Sequence, residues 1–140
     1  VLFYLSGAIV DLNQSILRFS LFVLAYINRG NVRADQGDLA GAIADFDQAI
    51  EINSQYDEAY TNRGIARYLL DDFDGAIADF NQSLEIDRDY AVAIGNRGRA
   101  HRRLGRFDQA ISDLQRALAL APNTAWMVEE LEKARQGQRD

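Results

Sequence analysis

Three arginines, Arg29, Arg63 and Arg97, stand 34 residues apart, and so do four aspartates, Asp11, Asp45, Asp79 and Asp113. Both columns run beside apolar positions. A buried charge must be paired, so the two columns predict a ladder of structural ion pairs. Asn28, Asn62 and Asn96 keep the same period one step before the arginines. An asparagine amide is donor and acceptor at once and can pair with the backbone of an extended peptide whatever its sequence. Arg99, Arg102 and Arg103 cluster later, with Arg106 close behind. Arg99 and Arg103 are four residues apart, so on a helix both point the same way and can fork onto one carboxylate or phosphate. His101, the only histidine, is flanked by arginine and makes a poor metal ligand. Asp71, Asp72 and Asp74 lack the spacing of a calcium loop and read as helix caps. No triad, catalytic carboxylate pair or phosphate-binding glycine loop is present. No enzyme activity, cofactor or metal site is expected.

The elements that must carry these residues follow from the period itself. Residues 58–87 align with the 30 residues that start 34 earlier and with those that start 34 later, and Asn-Arg-Gly recurs at 28–30, 62–64 and 96–98. A fixed period of this length signifies stacked repeats. Within a unit, Ala76, Ile77, Phe80, Ser83 and Leu84 mark one face of a second helix, while Tyr60, Gly64 and Arg67 line a first helix. Gly37, Asp71 and Gly105 sit between the halves, where a left-handed residue ends the first helix. Glycine inside a helix costs roughly 1 kcal/mol relative to alanine. Its recurrence at Gly30, Gly64 and Gly98 therefore predicts a close helix crossing, with Ala42, Ala76 and Ala110 as small partners and Phe46, Phe80 and Leu114 beyond.

This pattern resembles the tetratricopeptide repeat, over roughly residues 23–124. Pro122 holds the family's late proline column, with Ser54 and Arg88 in its place earlier, and the aromatic column reads Tyr26, Tyr60, then Ile94. The resemblance implies an all-α fold, a right-handed superhelical solenoid of antiparallel helix pairs, and the binding of a protein or peptide on a concave surface lined by the first helices. That surface takes in Asn28 and Asn31 from the first unit, and Glu58, Thr61, Asn62, Ile65, Tyr68 and Leu69 from the second. The third unit contributes Asn96, Arg99, Arg102 and Arg103. With Ile65, Tyr68 and Leu69 as apolar shelter beside the arginines, the expected ligand is acidic at one end and hydrophobic next to it. Some members grip a terminal carboxylate with lysine, two asparagines, lysine and arginine. Asn31 and Asn62 match the asparagines, but Ile27, Val92 and Asn96 replace the charged residues, so that clamp is expected to be absent. The alternative reading is a structural or oligomerisation module within a larger protein.

The chain of 140 residues fits one domain; it has one proline, no cysteine and 48% apolar residues. Its net charge of −6 argues against nucleic acid as partner. Without cysteine there is no disulfide scaffold, which does not fix the compartment; the cytoplasm is the favoured expectation. The chain lacks an initial Met, which suggests a fragment or a processed product. The expected layout is residues 1–22 as the second helix of a preceding unit, then units at 23–56, 57–90 and 91–124, then a capping helix at 125–140. Asp11, Asn13, Gln14 and Arg18 interrupt the apolar run in 1–22 well short of the ~20 residues a membrane span needs, so no membrane is expected. A helix at 5–18 that lacks its partner leaves Leu5, Ile9, Leu12 and Ile16 uncovered and Leu21–Leu24 beside them; no Gly or Pro lies between Gly7 and Gly30, and if that stretch runs as one continuous helix the association is by exchange. Residues 1–24 thus point to self-association. In the cap, Trp126, Met127, Val128, Leu131 and Ala134 are expected to pack, and Glu129, Glu130, Glu132 and Lys133 to face water.

Overall fold

The structure, a computed structural model, describes the backbone of residues 2–138 and the side chains of residue 11 and residues 14–138. Seven helices follow one another: α1 (Leu2–Asp35), α2 (Leu39–Ile52), α3 (Asp57–Leu69), α4 (Phe73–Ile86), α5 (Ala91–Arg103), α6 (Phe107–Leu120) and α7 (Ala125–Gly137). No strand occurs among the described residues. Each helix packs on the next. The odd-numbered helices also touch one another in succession, α1 to α3, α3 to α5 and α5 to α7. That second set of contacts puts them on the inner side of the curve, and the even-numbered helices outside.

The turns within the pairs follow from single residues. Gly37, Asp71 and Gly105 have φ of 84°, 61° and 70°. The aspartate accepts this left-handed conformation because its short side chain tolerates it. Asp38 and Asp72 then cap α2 and α4, accepting from the amides of Gly41 and Gly75 at 2.9 and 3.0 Å. Arg106 starts α6 with no side-chain cap.

The close crossing is present, but its partner differs from the expected alanine. A Cβ built on Gly30 would lie 2.6 Å from the Phe46 ring, and one on Gly64 would lie 2.7 Å from Phe80. At Gly98 the nearest atom is Leu114 Cγ at 2.9 Å. The glycines make room for the large residue itself, while Ala42, Ala76 and Ala110 are fully buried beside it.

The ion-pair ladder also forms. Arg29 donates from Nε and Nη2 to Asp45 at 2.9 and 2.6 Å, Arg63 to Asp79 at 3.0 and 2.6 Å, and Arg97 to Asp113 at 2.8 and 2.7 Å. Arg33 and Arg67 add a second guanidinium, 3.0 Å from Asp45 and 2.9 Å from Asp79. The hydrogen bonds from Arg29 hold the Asp45 carboxyl below the ordinary aspartate range against the opposing effect of burial. The third unit has His101 in this column and only one arginine on its aspartate.

Two features depart from expectation. First, α1 runs unbroken from Leu2 to Asp35, so residues 5–18 and the first helix of unit one are a single element with no turn at 19–23. No glycine or proline interrupts residues 8–29, and Phe19-Ser20-Leu21-Phe22 stands where the next joint has Asn53-Ser54-Gln55-Tyr56. The side chains of Leu5, Ile9 and Leu12 lie outside the described residues. Second, Glu130 does not face water. It is buried against α5 and accepts from Arg102 Nε at 2.6 Å, whereas Val128 is exposed. Met127, Leu131 and Ala134 are buried as expected, and Trp126 packs against the same core. Among the described residues, no helix is long and apolar enough to cross a membrane.

Candidate functional site

On the inner side, α1 and α3 enclose a cleft of about 390 Å3 above Phe46 of α2, lined by Asn31, Asp35, Glu58, Asn62, Ile65 and Leu69 among others. Positions 58, 62, 65 and 69 fall on one stripe of α3 because three- and four-residue steps return to the same helix face. Their equivalents on α1 include Asn28, which is exposed, Asn31 and Asp35. Asn62 Nδ2 donates to Asn31 Oδ1 at 2.9 Å. In this pairing Asn31 is the acceptor, so its own NH2 and the Asn62 oxygen are not used by it, while Leu69 presents an exposed apolar side chain.

Towards α5 the cleft meets a cationic shelf. The guanidinium carbons of Arg99 and Arg103 stand 4.7 and 5.8 Å from the centroid of the Tyr68 ring, and Arg103 also covers Phe73 at 4.6 Å. Tyr68 and Phe73 meet edge to face at 5.3 Å, so the platform under the two cations is rigid. Arg99 Nε is buried without a hydrogen-bond partner; its nearest carboxylate oxygen, on Glu130, is 3.8 Å away. Arg103 reaches Asp71 at 3.2 Å through an exposed pair, of a kind that contributes only about 0.2–1 kcal/mol.

Four residues expected on this surface are buried or tied to other groups. Thr61 is fully buried and donates from its hydroxyl to Ser83 Oγ at 2.8 Å; it lies one step round the helix from the 58–62–65–69 stripe and faces α4. Asn96 is buried and spends its amide donor on the Val92 carbonyl of its own helix at 2.9 Å. Arg102 is tied to Glu130. Tyr68 is buried and acts as the floor beneath the arginines. Glu130, the counter-charge at this end, escaped the sequence reading. It stands 34 residues after Asn96, and continuing the asparagine column into the cap would have placed it on the inner face.

His101 lies outside the cleft, on α5 between α4 and α6. Its Nδ1 is buried without a partner, and burial lowers its pKa; Asp113 and Asp74 oppose this, while Arg97 and Arg106 reinforce it. A lowered folded pKa means that the histidine contributes stability above its unfolded value of about 6.5, lost as pH falls through the folded value. The melting temperature should therefore drop as pH is lowered from 6.5 towards 5. Replacing His101 by Arg, the residue at 33 and 67, should flatten that part of the profile; an unchanged slope would assign it to other groups.

Comparison with known proteins bears on the same residues. A family model described as TPR repeat matches residues 30–71, and one described as tetratricopeptide repeat matches residues 58–123. A search of the curated proteins finds no match. Among solved structures, the first TPR of Spaghetti (RPAP3) bound to HSP90 peptide SRMEEVD is 29% identical with a TM-score of 0.83, covering 86% of this chain and 96% of that one. The first TPR domain of human RPAP3 is 29% identical with a TM-score of 0.82, covering 84% and 93%. The second TPR domain of human RPAP3, in complex with HSP70 peptide SGPTIEEVD, is 26% identical with a TM-score of 0.79, covering 84% and 98%. The 34-residue period, the paired helices crossing at glycine and the two contiguous family matches agree, and the chain belongs to the tetratricopeptide repeat family, with three full repeats, a preceding half repeat and a C-terminal capping helix.

Proposed function

We propose that this protein is an interaction module that binds an extended peptide segment along the inner face of α1, α3 and α5, with the acidic part of the peptide over Arg99 and Arg103. The observation that supports this is the partly exposed Arg99 side chain, held only at 3.8 Å from Glu130 and through no hydrogen bond at its Nε, beside a weakly held Arg103, both on the Tyr68 platform. Asn31 and Asn62 serve the peptide backbone, and Ile65 and Leu69 receive an apolar residue next to the acidic one. Asp35 and Glu58 line the cleft between α1 and α3 and repel acidic groups there, which favours the acidic part of the peptide lying towards α5. The relatives bound to SRMEEVD and SGPTIEEVD support an acidic peptide as ligand class. Ile27, Val92 and Asn96 carry no charge where the charge-gripping members of the family have it, so the ligand's acidic group sits on α5 instead.

Fluorescence anisotropy with labelled peptides tests this. Acidic peptides should bind, and Arg99→Ala should weaken them by about tenfold to a hundredfold, the equivalent of charge-assisted hydrogen bonds contributing about 1.5–3 kcal/mol. Added salt should weaken binding too. Asn62→Ala should lower affinity for all such peptides alike. Basic peptides binding as well as acidic ones at low salt would overturn the assignment.

A further inference from the structure

The arginine–aspartate ladder is complete in two units and open in the third. Asp45 and Asp79 each hold one arginine through two hydrogen bonds. A second guanidinium then approaches Oδ2 of each, Arg33 at 3.0 Å and Arg67 at 2.9 Å. Arg33 and Arg67 also donate to the carbonyls of Gly41 and Gly75, at 3.3 and 3.5 Å. The corresponding positions of the third unit are Asp113, His101 and the Gln109 carbonyl. Arg97 is the one arginine on Asp113, whose side chain is 12% exposed against 3% for Asp45 and Asp79.

Where the second guanidinium is missing there is a groove of about 500 Å3, lined from α4, α5 and α6, with His101, Gln109 and Asp113 among its residues. His101 is itself buried, and its Nδ1 has no hydrogen-bond partner. The charges around the groove are also out of balance. In the second unit, Arg63 and Arg67 are matched by Asp47 and Asp79. In the third, Asn81 stands for Asp47 and histidine for the second arginine, while Asp108 adds a carboxylate to the lining. Burial lowers the pKa of His101, so the imidazole is neutral at pH 7. Arg106, the other cation near it, is taken by Asp74 at 3.0 Å. Two carboxylates of the groove therefore share one cation, Arg97.

We propose that this groove receives an arginine side chain of a partner protein. The incoming guanidinium completes the ladder from outside: it donates to Asp113 Oδ2 and to the Gln109 carbonyl, the equivalents of the groups that Arg33 and Arg67 serve, with the uncharged His101 ring beside it. The chain's own two complete units show which chemistry fits the position. A guanidinium carries five donors in a plane and can serve carboxylate and carbonyl together, whereas a lysine ammonium acts as a point charge. The groove shares no lining residue with the cleft of α1 and α3, so the inference is independent of the peptide-binding reading.

NMR amide shifts of the full chain, titrated with acetyl-arginine amide, test it. The amides of His101, Ser112 and Asp113 should shift and saturate at millimolar probe. Acetyl-citrulline amide, which has the same length and a neutral ureido end, should bind at least about tenfold more weakly, since it lacks the charge that strengthens the hydrogen bonds. His101→Arg supplies the guanidinium from within, as at 33 and 67. It should abolish the shifts, while acidic peptides bind the variant as they bind wild type. Equal shifts with the two probes, no saturable shift at these amides, or a His101→Arg chain that takes the arginine probe like wild type would each overturn the proposal.

Discussion

Asp79→Ala should destabilise the protein by about 3 kcal/mol and lower its melting temperature by about 10 °C. Asp79 is almost wholly buried between α3 and α4, and its two oxygens accept from Arg63 and face Arg67 at 2.9 Å. Removing the carboxylate leaves two guanidiniums facing each other in a site with little access to water. Breaking a buried pair from one side typically costs about 3–5 kcal/mol because the remaining charge is uncompensated. The lower end applies here, since Arg63 retains Asp47 and Arg67 is partly exposed. Asp113→Ala provides the internal comparison. It strands one arginine rather than two, because His101 stands in the second column, and should cost about half as much. Thermal melts of the two variants decide the matter, and an Asp79→Ala chain that melts with the wild type removes the ladder from the account of stability.

The second large effect is expected at the crossing. Gly64→Leu puts a Cβ 2.7 Å from a Phe80 ring that is itself fully buried. The ring has no exposed side to turn into, so α3 and α4 must separate and the packing of the middle repeat opens. Overpacking typically costs about 1–3 kcal/mol, of which leucine's better helix propensity returns up to about 1 kcal/mol. The net loss expected is about 2 kcal/mol, or roughly 7 °C in melting temperature. Ala78→Leu, at an exposed position of α4, adds the same side chain without the clash and should leave the melt almost unchanged. If both variants melt alike, the glycine is not there for the crossing.

Both predictions concern columns that repeat, and the repeated columns were the legible part of the molecule. The period, the two helices per unit, the left-handed residue between them and the pairing of Arg with Asp all depend on contacts at fixed sequence separations. The ladder, for example, joins residues sixteen apart in each of three units. A contact of that kind leaves its mark on the sequence every 34 residues, and Asn-Arg-Gly with its aspartate is that mark. The aspartate at 71 could likewise be assigned a left-handed backbone from its place opposite Gly37 and Gly105.

What the repeat could not determine lies where the frame ends or where one helical step separates two environments. Thr61 and Asn62 are neighbours in sequence, yet one is sealed against Ser83 while the other lines the cleft; the axial rotation of α3, set by how Gly64 seats on Phe80, decides between them. Glu130 belongs to a cap helix whose glycine column is occupied by Glu132, so the repeat pattern no longer fixes its rotation. Packing against Gly95, where Met127 and Trp126 settle, turns Glu130 inward and ties Arg102, while Arg99 keeps an unpartnered nitrogen. The sequence by itself therefore determined the architecture and the ion pairs, since each is written three times over. The tertiary structure alone decided which arginines are tied to a counter-charge and which keep a free donor, because that depends on the charges brought beside them from elements far away in the chain.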